Sequence, residues 1–173
     1  TTRRRRGKAW SSEEARRFLE SARQDNDPFY AAYVLVLVLG LRKGELLGLA
    51  WEDTNLDAGE LDLAWQLRRL GRRLVRRETK TDASDSALPL PGHLCDGAAS
   101  LQKETKDRIV VVGPDWEGNH PVFTTPIGTP VEPRNFNRRW GARCAIAGVR
   151  RISVHGARRT CGSLLVDLDV HPR

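Results

Sequence analysis

The chain has 173 residues, with 29 Lys or Arg against 22 Asp or Glu and a formal net charge of +7 at pH 7. That length suits one domain able to bury a core without staples, and the positive excess favours a polyanionic partner such as nucleic acid, although charge alone also fits a generally basic soluble surface. Three cysteines, Cys95, Cys144 and Cys161, show no CxxC spacing, which argues against a disulfide framework or a zinc knuckle and makes a reducing cytosol the expected compartment.

In chain order, the arginine-rich opening "TTRRRRGK" lacks the apolar stretch of a signal peptide. Together with the absence of methionine, it suggests a piece of a longer polypeptide. Residues 11–24 predict a surface helix, with a capping box from Ser11 to Glu14 and an apolar stripe of Ala15, Phe18, Leu19 and Ala22. Residues 27–40 predict a buried helix, capped by Asp27, with Pro28 in the first helical position and Gly40 as its stop. Its apolar run, residues 31–40, is too short to span a bilayer. A short helix resumes over 42–51, which puts Arg42 at a helix-to-helix corner.

Residues 59–67, 72–80 and 86–91 then read as three strands of a small antiparallel sheet, with turns at Gly71 and at "TDASD". A helix is expected over 92–108, followed by a loop with one short strand around Val122 and Phe123. Helical pattern returns over 133–149 and ends near Gly148. A last helix begins at about His155. The fold class is α+β, helix-rich, with one small three-stranded antiparallel sheet.

The segment "VHGARRT" puts a histidine one helical turn before two arginines. At ~100° per residue, the stripe Cys161, Leu164, Leu165 and Leu168 marks the core side of that helix. Arg158 then falls at the border of the core, where packing can hold its fork against an anion, and Arg159 falls outside. Taken alone, an arginine paired with a carboxylate and a histidine near a helix start is the plainer reading.

Four segments change that weighing. "GLRKGELLGLAW" (40–51), "ETKTDASDSALPLP" (78–91), "PVFTTPIGTPVEPRNFNRRW" (121–140) and "VHGARRTCGSLLVDLDVHPR" (154–173) occur in this order. Together they resemble the catalytic domain of the tyrosine recombinases, the phage-integrase family, over about residues 9–173. The resemblance implies that Arg42 and Arg158 hold the non-bridging oxygens of one scissile DNA phosphate, a task suited to rigid bidentate donors. It implies that Lys80 protonates the departing 5′ oxygen and that His155 accepts a proton or donates a hydrogen bond at the same phosphate. Glu45 matches an acidic position suited to orienting Arg42.

The resemblance further implies double-stranded DNA as partner, assembly of the parent as a tetramer on DNA, no membrane, and no metal or nucleotide cofactor. The parent is expected to belong to a phage or mobile element and to act in the cytoplasm, at the bacterial nucleoid. Three positions depart from the family pattern: Gly156 stands for a usual Asp, Arg159 for a common His and Ser86 for a frequent Arg.

The family attacks with a tyrosine late in the domain, forming a 3′-phosphotyrosine, and no tyrosine follows His155 here. Tyr30 and Tyr33 lie in the predicted buried helix and do not match that position. Residues 1–10 are therefore expected to be a basic linker from a missing core-binding domain. Residues 11–173 are expected to be a catalytic domain truncated before its nucleophile, inactive by itself. A non-catalytic DNA-binding relic or regulator remains the alternative, and a metal-dependent nuclease is disfavoured because no acidic cluster accompanies His155.

Overall fold

The computed structural model describes residues 9–79, 87–105, 116 and 120–160. The chain divides into two units, Thr1–Lys43 with Arg134–Arg173, and Gly44–Pro133. Its elements in order are α1 (Ser12–Gln24), α2 (Tyr30–Leu39), α3 (Lys43–Leu47), β1 (Thr54–Asn55), β2 (Glu60–Asp62), β3 (Trp65–Leu70), β4 (Arg73–Glu78), β5 (Ala87–Pro89), α4 (Gly92–Thr105), α5 (Pro133–Ala147) and α6 (Val154–Ala157). Single 3-10 turns cover Trp51–Asp53 and Arg158–Thr160. The α+β class expected from the sequence is the one observed. Among the described residues no helix is long and apolar enough to cross a membrane.

In the first unit, α1 starts at the capping box the sequence predicts. Ser11 Oγ accepts the Glu14 amide at 3.2 Å, and Glu14 Oε1 accepts the Ser11 amide at 3.2 Å. This satisfies two donors that a helix start leaves unpaired. The face Ala15, Phe18 and Ala22 is buried, with Leu19 at its edge. Phe18 meets Trp140 and Tyr33 at ring-centroid separations of 4.5 and 5.1 Å, and Trp10 stacks on Trp140 at 5.5 Å. An aromatic cluster is thus the centre of this unit. Helix α2 is buried on nearly every side, as its uniform apolarity predicts, and packs against α1, α6 and the 158–160 turn. Gly40 ends it with φ of 68°, a left-handed conformation that a side chain would disfavour.

Asp27 does not cap α2. The helix begins at Tyr30, and the Asp27 carboxylate instead accepts the Phe29 amide at 2.9 Å and binds Arg143 of α5 at 2.9 and 3.1 Å. Arg143 also reaches Asp25 at 2.6 Å and Ser21 Oγ at 3.1 Å, so one buried cation ties α5 to the α1–α2 turn. Asp27 thus stands two residues before the N-cap Phe29, with Oδ1 on a local amide and Oδ2 on Arg143, a partner far away in sequence.

The second unit holds a three-stranded antiparallel sheet in the order β1-β2-β5 and a separate two-stranded hairpin, β3-β4, turning at Gly71. The strand expected over 59–67 is broken. The Asp62 carboxylate accepts the Ala64 amide at 3.0 Å, a local turn that competes with the ladder, so β2 pairs β5 while β3 pairs β4. The hairpin continues one pair beyond its strands through the Thr79 amide to Ala64 O at 2.6 Å. Around Val122 and Phe123 there is no strand but isolated bridges, with the Val122 amide donating to Leu49 O at 2.9 Å.

Arg76 of β4 is fully buried, with its guanidinium 4.4 Å from the Trp65 ring and 5.0 Å from that of Trp116. Its Nε donates to Gly48 O at 2.6 Å, and Asp53 takes a terminal nitrogen. Gly48 itself lies so close to β3 that a Cβ there would stand 2.7 Å from the Leu67 amide nitrogen. The apolar stripe expected from Cys161 to Leu168 lies outside the described residues.

Candidate functional site

The site belongs to the first unit and is assembled from three segments: the exit of α2, one face of α5, and the stretch from Arg151 through α6. Leu41 is buried after the Gly40 turn, which leaves Arg42 exposed at the corner the sequence predicts. Two indoles fix the third segment. Trp10 Nε1 donates to Arg150 O at 2.8 Å and Trp140 Nε1 to Ile152 O at 2.9 Å. Arg150 is further tied to Glu14 by bonds of 2.8 and 2.9 Å, and those bonds, aided by Ser11, hold the Glu14 carboxyl down to about 2.

Ser153 caps α6, its Oγ accepting the Gly156 amide at 2.9 Å, so the start of this helix holds with glycine at 156. Val154 and Ala157 face the core, His155 is exposed, Arg158 is half-buried and Arg159 exposed. Arg158 Nε donates to Gly40 O at 2.7 Å, an anchor on a helix-terminal carbonyl that leaves the two outer nitrogens of the fork for other acceptors.

Arg42, His155 and Arg158 line one cavity of about 630 Å³, together with Lys43, Asn137 and Arg151. Three guanidinium groups, one amine and an imidazole thus share one space, and none of the described residues lining it is acidic. Lys43 Nζ donates to Asn137 Oδ1 at 3.2 Å, and burial lowers the pKa of this amine. Such an arrangement suits an anion with several oxygens, because guanidinium forks match phosphate geometry and point charges fill the remaining directions.

Of the residues singled out from the sequence, Arg42, His155 and Arg158 come together here. Lys80 and Ser86 lie outside the described residues, and Glu45 belongs to α3 in the second unit. Sequence reasoning missed Lys43, Asn137 and Arg151. Asn137 had a faint signal, a polar residue one turn before the buried Trp140 on α5, but its partner is set by tertiary packing.

Comparison with known proteins concerns the chain as a whole. The profile of the Phage integrase family matches residues 9–173. An integrase of Saccharopolyspora erythraea is 32% identical over 106 residues, covering 61% of this chain and 24% of the relative. A XerC-like tyrosine recombinase of Caldanaerobacter subterraneus subsp. tengcongensis is 26% identical over 153 residues, covering 81% of this chain and 39% of the relative. The chain therefore spans less than half the length of either. Among solved structures, the Tn1549 transposon integrase in complex with transposon right end DNA superposes with a TM-score of 0.77 at 20% identity, over 95% of this chain and 55% of that one. With a family profile matched along nearly all its length and the same fold in a solved integrase, the chain belongs to the phage integrase family.

Proposed function

We propose that the chain is the phosphate-gripping part of a tyrosine-type site-specific recombinase acting on duplex DNA. The observation that carries this reading is the convergence of Arg42, His155 and Arg158 on one cavity with no acidic residue among its described lining. In this reading the two arginines hold the non-bridging oxygens of the scissile phosphate, and His155 hydrogen-bonds to it or takes a proton. Glu45 orients Arg42. A phenol oxygen attacks phosphorus, the bond from phosphorus to the 5′ oxygen breaks, and Lys80 gives that oxygen its proton. The 3′-phosphotyrosine conserves the phosphodiester energy, so rejoining is the same exchange reversed. Charge developing on the equatorial oxygens is what the preset forks stabilise.

In this reading neither tyrosine of the sequence is the attacking phenol. Neither Tyr30 nor Tyr33, the only tyrosines of the sequence, lines the cavity. Tyr33 is fully buried, and burial, reinforced by Asp27, pushes its phenol well above the ordinary range. That same observation favours a second reading, a DNA-binding module that grips a phosphate without cutting.

Titration of a labelled duplex at two ionic strengths tests the grip: binding should fall steeply with salt and weaken with Arg42→Ala and Arg158→Ala. Binding indifferent to salt or to both substitutions would remove the reading. A chain extended along its reading frame through a tyrosine separates the two classes, because a recombinase should then form a covalent adduct with a nicked duplex and a binding module should not.

A further inference from the structure

Helix α5 presents Asn137 and Gly141 four residues apart, and hence on one face. Each accommodates a cation of the cavity. Asn137 Oδ1 holds Lys43 Nζ at 3.2 Å. At Gly141 the guanidinium of Arg151 occupies the space a side chain would take: a Cβ there would stand 2.8 Å from Cζ and from one terminal nitrogen, and 3.1 Å from Nε.

Glycine weakens a helix interior relative to alanine, so its presence at the middle of α5 calls for a reason. The backbone gives none, since Gly141 is not among the residues with positive φ. The room for Arg151 does. The backbone on either side of Arg151 is also fixed, by the indoles of Trp10 and Trp140 on the carbonyls of residues 150 and 152. Among the described residues no carboxylate pairs with Arg151. Among the described residues an exposed guanidinium is thus seated against a helix with no carboxylate partner.

We propose that Arg151, seated by Gly141, and Lys43, held by Asn137, form a second phosphate subsite, which takes the phosphate of the DNA strand adjacent to the one gripped by Arg42, His155 and Arg158. The inference rests on the DNA reading above. One strand presents phosphates at every nucleotide, about 3.4 Å apart along the helix axis, so any duplex seated in the cavity brings a neighbour with it. Three guanidinium groups and an amine around a space of about 630 Å³ offer more N–H donors than the two non-bridging oxygens of one phosphodiester can accept. Burial also disfavours the charged form of Lys43 until an anion arrives.

The test is the slope of log affinity against log salt for a labelled duplex, measured on the wild type, Arg151→Ala, Arg151→Lys, Gly141→Ala and the double variant G141A/R151A. Loss of one phosphate contact lowers the slope by about 0.9. R151A should show that drop and R151K should recover part of it. G141A removes no charge, yet it should match R151A, and the double variant should go no further than either. Its thermal midpoint should be no lower than the wild type's, because the obstructing atoms are the far end of a flexible side chain. If G141A nevertheless fails to fold, the exposed R151A and R151K variants decide.

A steep wild-type slope left unchanged by R151A would overturn the subsite and leave the DNA reading standing. A drop in R151A without one in G141A would overturn the seating by Gly141. A wild type that ignores salt or does not bind would remove both the subsite and the reading beneath it.

Discussion

Arg158 and Gly40 are joined by one hydrogen bond of 2.7 Å, from Nε to the carbonyl of the residue that ends α2. The bond does two things at once: it holds the short 158–160 turn against α2, and it sets the orientation of the fork from its inner edge. Arg158→Lys keeps the charge and loses both. Duplex affinity should fall at least tenfold, since a charge-assisted hydrogen bond contributes about 1.5–3 kcal/mol. Urea unfolding should show a loss near 1 kcal/mol for the missing bond to Gly40.

The Glu14–Arg150 pair gives the fold a defined acid sensitivity. The Glu14 carboxyl falls from an ordinary value of 4.5 to about 2 in the folded state, so its contribution is complete above the higher value and disappears as pH drops through the lower one. Wild type should exceed Glu14→Gln in stability near neutral pH. The gap should narrow between pH 4.5 and about 2 and vanish below. Denaturant midpoints of both proteins across that interval provide the check.

Arg143 should be among the costliest residues to remove. Its side chain is 8% exposed and that of Asp27 6%, so Arg143→Ala leaves a buried carboxylate without its cation. The expected loss is about 3–5 kcal/mol. Asp27→Asn in the same chain should restore part of it, and a double-mutant cycle by denaturant unfolding measures the coupling. Additive losses would show that the two side chains do not act as a pair.

Covalent chemistry separates gripping from cutting. The 173 residues incubated with a nicked duplex should yield no protein–DNA adduct on a denaturing gel. Tyr30→Phe should leave duplex binding unchanged. An adduct abolished by either Tyr30→Phe or Tyr33→Phe would identify a nucleophile within α2 and contradict its placement in the core.

Much of this arrangement was legible in the sequence because it depends on near neighbours. Ser11 and Glu14, the Gly40 stop, and the corner at Arg42 are fixed by residues within one or two turns. The break at Asp62 was hidden because a strand pattern and a local side-chain turn compete over the same few residues, and periodicity registers only the first. Arg76 shows a different limit. Alternation along β4 puts Val75 and Arg76 on opposite faces, yet both are buried, because Trp65, Trp116, Asp53 and the Gly48 carbonyl enclose the guanidinium. Arg151 and Gly141 illustrate a third. Neither is unusual where it stands, and only the packing of α5 against the following segment shows that one makes room for the other.

Gly40 and Arg158 stand 118 residues apart along the chain. A ribosome adding about 5–20 residues each second makes Arg42 several seconds before Arg158 exists. The intervening residues must then fold or wait while the ends of a long loop find each other, a search whose entropic penalty grows only slowly with loop length. The cavity therefore cannot assemble before Arg158 has emerged: a growing chain carries Arg42 early but acquires its partners only after α5 and α6 follow.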